Sequence, residues 1–343
     1  MCMEKIKCVV WDLDNTIWKG VILEDKEVVL NENVKKVIQH LDKVGILQSI
    51  SSKNDYELAK EKLQEFGLWE YFIYPKINWN PKSISMQEIA KCINIGINTL
   101  AFVDDQKFER EEVNYTCPEV LCIDANDVDD IPKMERMIPK FITSDSQNRR
   151  KMYQNDIVRN NVEKEFVGTK EEFLAGLNMV FHICRAKEED LQRAEELTVR
   201  THQLNSTGYV YSYNELKEMI NDERYEVIVT RLEDKYGSYG TIGLAVIEKE
   251  SASLWKLNLL LMSCRVMSKG VGNILMNYII NCARNENAVL QAMFVPTNKN
   301  RIMYITYKLN GFREIKKGDI ILLEADMSNE RSIPDYITLI VEG

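Results

Sequence analysis

The chain is short of the residues that build a zinc or copper site. Its three histidines, His40, His182 and His202, share no metal-ligand spacing. Its eight cysteines (Cys2, Cys8, Cys92, Cys117, Cys122, Cys184, Cys264 and Cys282) include no CxxC pair and no Cys/His cluster. With no signal-peptide pattern before the first strand-like residues, they read as reduced thiols, most of them small core residues. No apolar run approaches the length of a membrane span, so a cytoplasmic protein without a membrane partner is expected. A basic excess is missing too. Asp and Glu number 53 against 44 Lys and Arg, a formal net charge of -9, which argues against nucleic acid as the main partner. Internal repeats and low-complexity tracts are also absent.

What is present is enough chain, 343 residues, for two domains. The first is organised around Cys8-Val-Val-Trp-Asp12-Leu-Asp14-Asn-Thr16. Val9, Val10 and Trp11 read as a buried parallel strand, and two acids follow where that strand ends. In an open α/β sheet this is the ligand-binding edge. Paired acids repel each other, and a divalent cation relieves the repulsion while leaving one oxygen free to attack phosphorus. A second strand, Ile46 to Ile50, runs into Ser51-Ser52-Lys53-Asn54-Asp55, an anion cradle or an ordinary helix cap. Lys82 follows Pro81 at a helix start, where a cation opposes the helix dipole. An anion to hold explains it, as does simple solvation. A third strand, Thr99 to Val103, empties into Asp104-Asp105. Residues 141–177 read as a charged, solvated helical linker between a domain over 1–140 and another over 178–343.

The second domain begins with a strand at Met179 to Cys184 and a helix at Glu188 to Val199. A polar run, Thr201-His202-Gln203-Leu204-Asn205, comes next. Residues 234–243 read as a glycine-punctuated turn. The longest strand candidate, Ser253 to Met262, leads into Ser263-Cys264-Arg265 and a turn holding Lys269, Gly270 and Gly272 at a helix start. Cys264 follows a strand, precedes an arginine and faces a helix N-terminus, all of which favour a thiolate and hence an acyl-accepting nucleophile.

Asp-x-Asp-x-Thr, strand-Ser, Lys and strand-Asp-Asp, in that order over residues 6–125, resemble the four motifs of the haloacid-dehalogenase (HAD) superfamily. The resemblance implies an α/β fold with a Rossmannoid parallel sheet. It implies Asp12 as nucleophile, Asp14 as acid and base, and Ser52, Asn54 and Lys82 around phosphate. Mg²⁺ would be held by Asp12, the Asp14 carbonyl and Asp104, with Asp105 either a further ligand or a partner outside the ligand set. Residues 180–325 resemble the GNAT acyltransferases, α/β domains with a mixed sheet. Asn300, Met303, Tyr307, Gly311 and Phe312 stand at the intervals of that fold's closing motif, while Met267 departs from its pyrophosphate-gripping turn. In GNAT folds pantetheine lies between two splayed strands.

Over its whole length the chain resembles the FkbH-like proteins of polyketide pathways. The stretches that carry this are Val10 to Trp18, Ser52 to Asp55, Ile77-Asn-Trp79 with Lys82, Phe102 to Asp105, Thr201 to Asn205, Tyr236-Gly-Ser-Tyr-Gly240 and Ser263 to Val266. The resemblance implies 1,3-bisphosphoglycerate as substrate and a glyceryl thioester on a separate acyl carrier protein as product. The group would be taken up by Cys264. Arg265, His202 or Tyr307 would serve proton or oxyanion duties, and Gln203, Asn205, Asn300, Gly270 and Gly272 would lie around the acyl and pantetheine groups. Carriers are acidic, so Lys299, Arg301, Arg265 and Lys269 are expected to form a basic docking surface. Two other readings compete. One is a HAD phosphatase fused to a coenzyme A-dependent N-acetyltransferase, and the other is the same phosphatase fused to a non-catalytic carrier-docking module.

Overall fold

A computed structural model describes residues 4–342 and divides the chain into two compact units, one ending at Gln154 and the other starting at Asn155. The first unit is a five-stranded sheet of β1 (Cys8–Trp11), β2 (Leu47–Ser52), β3 (Lys76–Ile77), β4 (Leu100–Asp104) and β5 (Leu121–Asp124). It runs in the order β3-β2-β1-β4-β5, every pair parallel. Central β1 is wholly buried, which is why its four residues are all apolar rather than alternating. Helix α1 (Glu32–Lys43) supplies Val34, Val37, Ile38 and Leu41 to the core beside Ile50 and Val103. It ends before Gly45, whose φ of +81° and close approach to Ser146 and Arg149 leave no room for a side chain. The segment after Asp14 is a ribbon of Trp18–Lys19 against Val29–Leu30, the short flap its length allows.

Residues 141–177 are not a free linker. Helix α2 (Arg149–Glu165) contains the division between the units. In its first part Arg149 donates to the Gly45 carbonyl and Arg150 pairs with Asp42. In its later part Arg159 pairs with Asp234, and beyond it Phe173, Leu174 and Leu177 enter the core of the second unit. The charge pattern suggested solvation, which holds for residues 164–172, but partners far along the sequence bury Arg149 and Arg159.

The second unit is a mixed eight-stranded sheet: β6 (Met179–Arg185), β7 (Tyr225–Asp234), β8 (Gly237–Ser251), β9 (Leu254–Met262), β10 (Val289–Phe294), β11 (Arg313–Lys316), β12 (Ile321–Glu324) and β13 (Ile337–Glu342). Its order is β11-β12-β10-β9-β8-β7-β6-β13. The β9–β10 and β6–β13 pairs are parallel and the rest antiparallel. Strand β8 already begins at Gly237, so most of the expected 234–243 turn is strand. Register shifts after Ser238 and Thr241 absorb its glycines as bulges, with Gly240 at φ +72°. The chain is therefore α/β, a parallel sheet in one unit and a mixed sheet in the other.

Candidate active sites

In the first unit the carboxyl ends of β1 and β4 bring the expected acids together. Asp12, Asp104 and Asp105 each offer an oxygen within 4.8 Å of the others. Lys82, the first residue of the helix Lys82–Ile93, reaches into this cluster. Its Nζ lies 2.7 Å from Asp12 and also pairs with Asp104, and its side chain is only 4% exposed. Burial alone would lower the lysine's pKa, but Asp12 and Asp104 outweigh it and hold the ammonium above its ordinary range. Asp104 is pushed up to about 6, by burial first and by repulsion from Asp12 second, against the pull of Lys82. Asp105 is raised for the same two reasons.

The Asp14 carboxylate stands outside this group. Its Oδ1 accepts from Trp18 Nε1 (2.7 Å) and the Ile22 amide (3.1 Å), and its Oδ2 accepts from Asn54 Nδ2 (2.9 Å). Burial raises its pKa, those hydrogen bonds oppose the rise, and Asp12 adds to it. Any metal contact by Asp14 therefore falls to its carbonyl. Asn54, expected beside phosphate, instead orients Asp14. Ser51 and Ser52 are both buried at the end of β2, in register with Lys76 and Ile77. Sequence reading gave Trp18 no role. Its placement four residues after Asp14, with an N–H to donate, was the available signal. A purely oxygen donor set of two or three carboxylates suits Mg²⁺.

In the second unit Cys264 is half-buried at the end of β9, its Sγ 4.0 Å from Gln203 Oε1. Strands β9 and β10 pair only from Leu254 to Leu257 and then part. The gap is closed by the chain itself. Ser206 donates its amide to Leu260, Met262 donates to Leu204, Val295 donates to Ser206, and Asn205 forms a bridge to Leu261. Asn300 holds this insert through Asn205 O (3.0 Å) and Val295 O (2.9 Å), while Asn205 Oδ1 accepts from Thr207 and Gly208. Asn205 and Asn300, expected beside the acyl group, are braces of the insert. Tyr307 is fully buried against Phe312, its hydroxyl turned to Ser206, and burial drives its pKa up. That position gives it no open path for proton transfer.

Beside the insert lies a cavity of about 240 Å³, lined by Leu204, Leu260, Met267, Ile302 and Leu309 together with Gly270 and Gly272. None of its lining residues is charged. Lys269, which the turn would aim at a phosphate, is folded inward, 3.5 Å from Glu163 and over the Phe173 ring. Arg265 is likewise drawn in, donating to the Tyr239 carbonyl (2.6 Å). The expected basic surface therefore loses both residues, because Glu163 and the Tyr239 carbonyl claim them. Lys299 and Arg301 remain exposed, and His202 and Gln203 are half-buried. No described helix is long and apolar enough to cross a membrane.

No family model matches the chain, and no curated protein matches it. Among solved structures the first unit is similar to the N-terminal part of BF1531 from Bacteroides fragilis, containing a phosphatase domain complexed with Mg. The identity is 28% and the TM-score 0.34, over 36% of this chain and 38% of that one. The second unit is similar to the ribosomal-protein-S18-alanine N-acetyltransferase of Escherichia coli at 17% identity and TM-score 0.34, over 45% of this chain and 99% of that one. It is also similar to Ard1 of Thermoplasma volcanium at 16% identity and TM-score 0.34, over 42% and 96%. Likenesses of this extent say nothing of activity.

Proposed function

We propose that the chain is a two-site enzyme: an Mg²⁺-dependent phosphohydrolase in its first unit and a thiol-based acyltransferase in its second. The substrate is 1,3-bisphosphoglycerate and the product a glyceryl thioester on the phosphopantetheine of an acyl carrier protein. The observation that supports this most is the Asp12–Lys82–Asp104 constellation, with Asp14 held separately beside it.

At the first site Asp12 attacks phosphorus. The P–O bond to the glyceryl oxygen breaks, and Asp14, whose raised pKa favours its protonated form, gives that oxygen its proton. Asp14 then takes a proton from the water that hydrolyses the aspartyl-phosphate. Lys82 offsets charge on the phosphoryl oxygens, and Ser52 orients them. Asp12, Asp104, Asp105 and the Asp14 carbonyl would hold Mg²⁺, which when bound neutralises phosphoryl charge.

At the second site the Cys264 thiolate attacks the acyl phosphate carbon. A C–S bond forms, the C–O bond to phosphate breaks, and inorganic phosphate leaves with the electron pair. An acyl phosphate is activated enough for this without ATP. A pantetheine thiol then displaces Cys264, whose sulfur leaves as thiolate, while the incoming thiol's proton passes to solvent or to His202. The uncharged walls of the cavity suit the neutral pantetheine chain, and the two phosphates that coenzyme A carries beyond the carrier's own would find no cation there.

The experiment is to incubate the protein with Mg²⁺ and 1,3-bisphosphoglycerate, offering holo-carrier in one tube and coenzyme A in another. Mass spectrometry then reads the pantetheine thiols. Glyceryl on the carrier, lost in Cys264→Ala with hydrolysis of p-nitrophenyl phosphate retained, is expected. Unchanged loading by Cys264→Ala contradicts the proposal, as does tight coenzyme A binding with acetyl transfer to an amine.

A further inference from the structure

The second unit buries a group of charges that the reaction above does not use. Arg159, on α2, is fully enclosed and bonds both oxygens of Asp234, Nε to Oδ2 and Nη2 to Oδ1, each at 2.7 Å. It also donates to Asp156 (2.8 Å) and to the Gly237 carbonyl (2.8 Å). Its guanidinium lies 3.8 Å above the Tyr239 ring. Tyr239, fully buried, donates its hydroxyl to the same Asp234 (3.0 Å). Its carbonyl accepts from Arg265, and Arg265 also faces Asp156 at 3.8 Å. The Ser263 amide, one residue before the thiol, donates to Ile242 on the same strand as Tyr239 (2.6 Å). The residues on either side of Cys264 are thus both tied to β8, Ser263 to Ile242 and Arg265 to Tyr239, and Arg159 clamps the start of that strand at Gly237 and Tyr239.

A buried ion pair is weak evidence of stability, because desolvation offsets its Coulomb gain. What such a pair does supply is one defined arrangement of the groups it touches. Here it touches the backbone that carries the thiol. Bidentate, stacked and bonded to a third group, Arg159 uses geometry that a lysine cannot copy.

Resting on the reading of Cys264 as nucleophile, we propose that Arg159, with Asp234 and Tyr239, is a positioning residue for that thiol. The guanidinium holds the Gly237–Tyr239 segment, which holds Arg265, which holds the turn. None of the three touches substrate. The Tyr236-Gly-Ser-Tyr-Gly240 stretch thereby acquires a role. Its glycines let β8 bulge so that Tyr239 lies under the clamp and its carbonyl faces Arg265.

The test compares wild type with Arg159→Met/Asp234→Asn, which removes both buried charges together, and with Arg159→Lys, which keeps the charge and loses the fork. The rate of iodoacetamide labelling at Cys264 is read by peptide mass spectrometry, alongside Tm, p-nitrophenyl phosphate hydrolysis and glyceryl loading. A tenfold or greater fall in labelling is expected in the double variant, with hydrolysis unchanged. Loading kcat should fall in parallel while KM moves less than twofold, and Arg159→Lys should recover only part of either rate. Should the double variant fail to fold, Arg159→Lys decides: slower labelling supports the clamp. Wild-type labelling in whichever variant folds overturns it. Labelling needs no acyl substrate, so a wild type that labels but never loads refutes the nucleophile reading and leaves the clamp standing on its own result.

Discussion

At the scale of single residues, the first site is a balance between three acids and one lysine. Replacing Asp12 by Asn should lower p-nitrophenyl phosphate hydrolysis at least about a thousandfold, as loss of a nucleophile does, with far-UV circular dichroism unchanged. Lys82→Met leaves Asp12 and Asp104 buried without their cation. That should cost about 3–5 kcal/mol in urea denaturation without metal, and less when Mg²⁺ is present. Asp104 gives the pH dependence. Its carboxyl titrates at about 6 in the folded chain against 3.8 in the reference state, so the folded form holds the proton more tightly. Without metal, the stability it contributes is complete below 3.8 and is lost as pH rises through 6. A cation competes with that proton. The Tm gain from Mg²⁺ should therefore be larger at pH 7.5 than at pH 5, and equal gains would contradict the assignment. These acids were legible in the sequence because each stands where an apolar strand stops, a local pattern. The pairing of Asn54 with Asp14 was not, since an Asn after a strand end caps a helix as readily as it faces a carboxylate.

At the scale of elements, the feature no pattern announced is the insert at Leu204–Ser206. Its hydrogen bonds run to β9 and to Val295, segments far along the chain, and leave no periodicity behind. The resemblance put Gln203 and Asn205 of the polar run there beside the acyl group; Asn205 turned out to be part of the fastening, while Gln203 lies beside Cys264. Asn300→Ala removes the amide that donates to both carbonyls of that fastening and should destabilise the second unit by roughly 1–3 kcal/mol. Hydrogen exchange should rise at the amides of Ser206, Met262 and Val295, ahead of the rest of the sheet. The inward turn of Lys269 was equally hidden, because a lysine in a glycine turn beside a helix start reads as an anion ligand until Glu163 is seen to claim it. The strands fared better. Continuous apolar runs marked β1 and β4, and length marked β9. The glycines of β8, which read as a turn, concealed the start of that strand, and the short or edge strands β3, β5, β11, β12 and β13 carried no pattern that marked them.

At the scale of the whole molecule, the proposed function assigns separate chemistry to the two units, so their variants should separate. Cys264→Ala should keep the hydrolysis rate and lose thioester formation, while Asp12→Asn should do the reverse. The most direct measurement maps the adduct on the peptide containing Cys264 after incubation with 1,3-bisphosphoglycerate and Mg²⁺. Wild type should carry glyceryl on that cysteine, and Asp12→Asn should carry the same group with its phosphate still attached. A bare Cys264 in both proteins would contradict the account, as would a phosphate lost equally from both.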